Sequence, residues 1–568
     1  MNALKDRIAI ARGEKKANLV LKNGQLINVF SGEIYSADVA LHKDHIAGIG
    51  DYTGEKEIDL NGKYITPGFI DSHLHIESTM LHPAELAKAI VPCGTTAIIT
   101  DPHEIANVLG VAGIKYLLEA SAGLPLDLFF TVPSCVPSTD METSGAKLSA
   151  QEIVALLKKK QVIRLGEMMN FPGVLTGNKT VLDKIAAACE VGVEGHAPEL
   201  AGKDLNAYVA AGMSSDHENI TLEEAREKLR LGMQILVREG SSAKNLEAIL
   251  PLVTPKNSRF FSLCTDDISP EDLMNGHINK IIQKAVALKL DSITAIQMAT
   301  INTARYYNLL GYGAVAPGYF ADINVISNLE DFDVDMVFKK GQLVASRRKP
   351  GFNVKIKKKA GVRETIRIKP FEIDALELAA ETDYAKCIEL IPGQILTKSI
   401  MVAVKKDKGK VVADPGNDVL KLVVVERHKA TGNIGFGLVK GFGLQKGALA
   451  TSVAHDSHNI ICVGIDEEDM ISAIRRVAAL GGGMAVVRGG LVLADVPLPI
   501  AGLISDLPID KLVAKQKKLE KIIADLGCKI EQPFSKLSFL ALPVVPELRL
   551  TDKGLVDVDK FKIVSLFE

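Results

Sequence analysis

Between residues 63 and 309 the chain repeats one pattern, a short apolar run followed by an amphipathic stretch of helical period. Runs of strand length fall at 65–70, 95–100, 128–132, 162–166, 191–195, 212–215, 235–238 and 260–264. Strands alternating with helices predict an α/β fold with a parallel sheet. Ser149-Ala-Gln-Glu152 and Thr221-Leu-Glu-Glu224 have the capping-box spacing that opens a helix, and 182–190 and 292–306 carry helical periodicity. Eight such units suit a closed (β/α)8 TIM-like barrel, the rival being an open doubly wound sheet.

The placement of reactive side chains favours the barrel, whose chemistry sits just past the C-terminal ends of its strands. Asp71-Ser-His73-Leu-His75 follows the first run, Glu167 the fourth and His196 the fifth. Ser215-Asp216-His217-Glu218 ends the sixth and Thr265-Asp266-Asp267 the eighth. His73 and His75 are two apart, so on extended backbone their imidazoles point the same way. Imidazoles with carboxylates suit Zn2+, Mn2+ or Fe2+, and a carboxylate at Glu167 can bridge two such ions. Each residue alone has a plainer reading: a chance His-x-His, a solvated strand end, a structural histidine, or at Asp266 a cap for a helix beginning near Pro270. Five strand-end positions in the right order make the joint metal site the stronger reading.

The flanks differ in pattern. Residues 19–62 read as short strands separated by turn signals at Asn23-Gly24 and Lys43-Asp44. Strand patterns return at 318–326 and 337–344, so a small β domain built from 1–62 plus 310–350 is expected around a 63–309 catalytic barrel. The basic stretch 346–359 reads as a linker or exposed edge, and 360–568 as an additional C-terminal α+β domain. The glycines of 435–443 and 481–483 match neither a Walker loop nor a dinucleotide fingerprint and read as turns and close packing.

Composition narrows the partners. Lys plus Arg number 67 against 69 Asp plus Glu, which gives no electrostatic reason to expect nucleic acid or an anionic membrane. No uncharged apolar run is long enough for a membrane span. Residues 1–16 lack the apolar core of a secretory signal. The seven cysteines are widely spaced and form no Cys-x-x-Cys, the pattern of reduced thiols. The expectation is a cytoplasmic enzyme with a small-molecule substrate.

Pro67-Gly-Phe-Ile-Asp-Ser-His-Leu-His75 resembles the first metal-binding strand of the amidohydrolase superfamily, and Ile76-Glu-Ser-Thr-Met80 resembles its adenine deaminase branch. Gly166-Glu-Met-Met-Asn-Phe-Pro-Gly173, Gly195-His-Ala-Pro198, Ser215-Asp-His-Glu218, Cys264-Thr-Asp-Asp267 and Ser452-Val-Ala-His-Asp-Ser-His-Asn459 are similar to that family, in order along nearly the whole chain. The resemblance implies ligands His73, His75, Glu167, His196, His217 and Asp266 for two Mn2+ or Fe2+ ions, with Zn2+ as an alternative. Glu167 would stand where many superfamily members have a carboxylated lysine. It also implies hydrolysis of adenine to hypoxanthine and ammonia, by a metal-bridging hydroxide, in a homodimer or larger assembly.

In that chemistry Asp266 takes the hydroxide proton as C6 is attacked. Charge develops on N1, where Glu218 is the candidate general acid; its alternative role is to orient His217. Asp101 and His103 past strand two, Arg238 past strand seven, and His455 and His458 in the C-terminal region are further candidate substrate contacts. Three rival readings share parts of this pattern. A cytidine-type zinc deaminase needs Pro-Cys-x-x-Cys, but Thr96 stands where the second cysteine would be. A cyclic amide hydrolase of the dihydroorotase or hydantoinase type would use the same metal chemistry. A non-catalytic scaffold would not need the full ligand set.

Overall fold

The computed structural model describes residues 2–356, 359–392 and 394–567; residues 357 and 358 of the expected basic linker lie outside them. Eight parallel strands form the barrel: β1 Phe69–Leu74, β2 Thr95–Thr100, β3 Asp127–Val132, β4 Val162–Met168, β5 Val193–Gly195, β6 Ser215–Asp216, β7 Gln234–Arg238 and β8 Phe261–Cys264. β1, β2, β5, β6, β7 and β8 are buried along their whole length, as strands between packed helices and a filled barrel interior must be.

Ladder pairing runs continuously from β1 to β5 and from β6 to β8. Two thin seams close the ring. At one, Ser214 N–H donates to the Val193 carbonyl at 3.1 Å beside a single Val193–Met213 bridge. At the other, Asp266 N–H donates to the His73 carbonyl at 2.9 Å and His75 N–H to the Asp266 carbonyl at 3.2 Å. Both seams therefore fall between strands that carry reactive residues.

The first run expected at 65–70 proves to be two strands. Tyr64–Pro67 joins a nine-stranded sheet with the N-terminal strands and Ile323–Ile326, and only from Phe69 does the chain enter the barrel. His73 thus lies within β1 rather than beyond it. The turn expected at Asn23-Gly24 is instead a bulge inside one long strand, Ala17–Asn28. Asn23 takes φ 55°, and a Cβ on Gly24 would meet Ile65 Cδ1 at 2.4 Å. The expected 292–306 helix is two, Ser292–Met298 and Ile301–Tyr306, and the break frees the Ala299 carbonyl to accept from Ile70 N–H at 2.8 Å. The Ser149 capping box forms as read, with a stabilisation of about 1 kcal/mol.

Beyond residue 383 an eight-stranded, mainly antiparallel sheet carries the helix Glu467–Ala479 packed across its central strands. The helix Ile509–Asp525 packs against the edge strand Leu491–Pro497 and against barrel helices Pro83–Ile90 and Pro270–Asn275. Gly435, read as a close-packing position, lies so near the Thr551 carbonyl that a Cβ would sit 1.8 Å away. The loop after Ala448–Thr451 brings this region against the barrel, where His455 and His458 meet Glu104.

Candidate active site

Six side chains from five strand ends converge. His73 and His75 Nε2 lie 3.2 Å apart. His75 Nε2 is 3.1 Å from Asp266 Oδ1 and 3.4 Å from Glu167 Oε1. On the other side His196 Nδ1 lies 2.7 Å and His217 Nε2 3.2 Å from Glu167 Oε2. Glu167, on β4, thus stands between the two histidine pairs with one oxygen toward each. The same-side reading of His73 and His75 holds because both sit on one continuous extended segment.

The tautomer of His75 is fixed: its Nδ1 donates to the Asp101 carbonyl at 2.9 Å. Nε2 then faces two carboxylates, which demand that positive charge, a proton on the ring or a metal ion, lie among them. Glu167 Oε1 and the Nδ1 atoms of His73 and His103 are buried and have no hydrogen-bond partner among the described residues. The donor set of imidazoles and carboxylates without thiolate completes a site that fits divalent cations.

The electrostatics express the same demand for positive charge. Burial raises the Glu167 carboxyl, but His103, His196 and His217 overcome it and hold it well below the usual range. Burial opposes charging His217, yet Glu167, Asp266 and Glu218 lift it to about 9. Asp266 is likewise held low against burial by His75 and Arg238. Its backbone takes φ 57°, pinned by the two seam hydrogen bonds to His73 and His75.

Arg238, the last residue of β7, joins two of the carboxylates. Its Nη1 donates to Asp266 Oδ2 at 2.9 Å and to Glu218 Oε1, and its Nη2 to Glu218 Oε2 at 3.0 Å. Burial raises Glu218, but this guanidinium and the flanking imidazoles bring it below its ordinary value. His103 Nδ1 lies 3.3 Å from Glu167 Oε1 and its Nε2 3.4 Å from Glu104 Oε1. Asp101 turns inward, its Oδ2 accepting from Glu167 N–H at 3.1 Å.

A cavity of about 420 Å³, within the size range of small-molecule sites, separates the barrel mouth from the C-terminal region. His455, His458, Glu104, Asp267, Ser78 and Phe539 are among its walls, whereas Asp101, His103 and Arg238 face the cluster instead. His455 stacks on Phe539 at 4.6 Å between centroids. Both His455 and His458 donate to Glu104. His458 Nδ1 accepts from Ala454 N–H at 3.1 Å, so its proton sits on Nε2, and burial pushes its pKa down to about 4. An Nε2 that carries its proton is not a ligand, so this trio is a hydrogen-bonded carboxylate rather than a further cation site. The sequence places Glu104 in the motif Asp101-Pro-His103-Glu104 but gives it no role of its own, because its partners lie more than three hundred residues away.

Residues 64–344 match the amidohydrolase family and residues 394–562 the adenine deaminase C-terminal domain. The chain is 50% identical over 563 residues to an adenine deaminase of Dehalococcoides mccartyi, covering 99% of each chain. It is 48% identical to one from Desulfatibacillum aliphaticivorans, again over 99% of each. An adenine deaminase of Methanothrix thermoacetophila is 47% identical over 99% of both. With an amidohydrolase domain and an adenine deaminase C-terminal domain on one chain, and relatives about 50% identical over its full length, this protein belongs to the adenine deaminase family.

Proposed function

We propose that this chain hydrolyses adenine to hypoxanthine and ammonia at the barrel mouth. The observation that carries the reading is the convergence of His73, His75, Glu167, His196, His217 and Asp266, next to a cavity of small-molecule size that Asp267, the neighbour of Asp266, helps to line. His73, His75 and Asp266 would hold one divalent ion and His196 and His217 the other, with Glu167 shared. When bound, such a pair lowers the pKa of water to about 7 and so supplies a nucleophile at neutral pH. The mixed imidazole and carboxylate set supports Mn2+ or Fe2+, with Zn2+ as an alternative.

The chain's own residues manage two protons. As oxygen bonds to C6, the C6–N1 π pair moves to N1, which must gain a proton. Arg238 keeps Glu218 ionised, so Glu218 first accepts a proton from the attacking water and then delivers it to N1. Asp266 takes the second water proton and returns it to the departing amine as the C6–N6 bond breaks. The products are the N1–H, C6=O base and ammonia, and both carboxylates are restored. Glu104, held by His455 and His458, presents a fixed acceptor on the cavity wall for the purine edge.

All seven cysteines are unpaired, which supports a reducing, cytoplasmic setting and a place in purine salvage or catabolism. The test is an ultraviolet assay on Mn2+-loaded protein with adenine, adenosine and dihydroorotate in parallel. Turnover of adenine alone, lost on chelation, is expected. Turnover of dihydroorotate without adenine would replace the reading with cyclic amide hydrolysis.

A further inference from the structure

The β5–β6 seam separates the strands that deliver His196 and His217, and almost no ladder hydrogen bonding holds it. A buried side-chain network does so instead. Asp216, the last residue of β6, accepts from Ala197 N–H at 2.9 Å through Oδ1 and from Glu218 N–H at 3.1 Å through Oδ2. Lys228, on the helix Leu222–Arg230 that follows, donates to Asp216 Oδ2 at 2.8 Å and to the Ala197 carbonyl at 2.7 Å. It also donates to Glu224 Oε1 at 2.9 Å, and Glu224 in turn accepts from Glu199 N–H and Ile220 N–H. Asp216 and Lys228 are both fully buried.

Removing one member of such a pair leaves an unpaired charge in the interior, so the two side chains hold each other and the loops they bond in one geometry. Every hydrogen bond it makes outside its own helix goes to the loop carrying His196 or to the loop carrying His217. The opposite seam has a counterpart: Asp71 accepts from Thr265 Oγ1 at 2.6 Å and from His73 N–H at 3.2 Å, joining β1 to the Asp266 loop. Each half of the cluster thus has its own buried carboxylate across its own seam.

We propose that Asp216 and Lys228 are positioning residues for the His196/His217 half of the metal centre, setting the spacing of those two imidazoles in place of a strand ladder. Neither side chain touches the cavity, so their effect is exerted through the two ligand loops. The proposal rests on the two-cation reading above.

Mn2+ titration of the metal-free full-length protein, followed by the electron paramagnetic resonance of free Mn2+, separates the two. Wild type binding two equivalents sustains the underlying reading; fewer than two overturns it. In Asp216→Asn and in Lys228→Gln, one equivalent should weaken by about 10–100-fold while the other keeps wild-type affinity. Lys228→Gln keeps Asp216 and so serves if Asp216→Asn does not fold. A purely structural role would move both equivalents together or neither, and either result in a folded variant overturns the proposal.

Discussion

Glu104 of the barrel accepts a hydrogen bond from His458 of the C-terminal domain across 354 residues of chain. His455 holds the other oxygen of the same carboxylate. The barrel mouth is therefore finished by a loop that the barrel sequence does not contain.

That relationship predicts the behaviour of His458→Ala and His455→Ala. Neither residue belongs to the six-membered cluster, so both variants should keep wild-type metal content. Freed from its donors, Glu104 no longer has one orientation, and kcat/KM for adenine should fall by about 10–100-fold. Metal analysis beside steady-state kinetics checks this; a loss of bound metal would place the two histidines in the metal site after all.

Arg238 bridges Asp266 and Glu218, the two carboxylates assigned to proton transfer. Arg238→Met leaves both without their cation and should lower kcat by about 10²–10⁴-fold. Arg238→Lys retains charge but not the planar fork and should fall between that and wild type. Equal rates for the two variants would show that the planar fork, not charge alone, is what the position supplies.

How much of this was legible in the sequence depends on how local each signal is. The barrel and the convergence of its strand-end side chains were readable because each unit is a short apolar run with a reactive residue at its end. The boundary between Tyr64–Pro67 and β1 was not, since both are apolar and extended and only their pairing partners distinguish them. Asn23-Gly24 carries a turn signal that a bulge satisfies equally well. The roles of Asp216, Lys228 and Glu104 were hidden for a different reason. A charged residue on an amphipathic helix looks solvated until the fold shows Lys228 buried against two loops.

Glu142, which is not one of the six converging residues, predicts a pH dependence of stability. Burial, with Asp456 and then Asp552 adding to it against hydrogen bonds from Ser457 and Ser138, raises its carboxyl well above the ordinary 4.5. The folded chain then holds a proton that the unfolded chain releases near that ordinary value. Stability from this group is complete below it and is lost as pH rises toward the folded pKa. Glu142→Gln removes the titration, so its melting temperature relative to wild type should be higher at pH 8 than at pH 5. Scanning calorimetry at the two values checks this, and an unchanged difference would contradict it.

The central claim is that two cations, held by the six converging side chains, are required for turnover of adenine. The most direct measurement is hypoxanthine formation as Mn2+ is added stepwise to metal-free protein. Activity absent without metal and reaching its plateau at two equivalents is the predicted result. Full activity at one equivalent or fewer would contradict it.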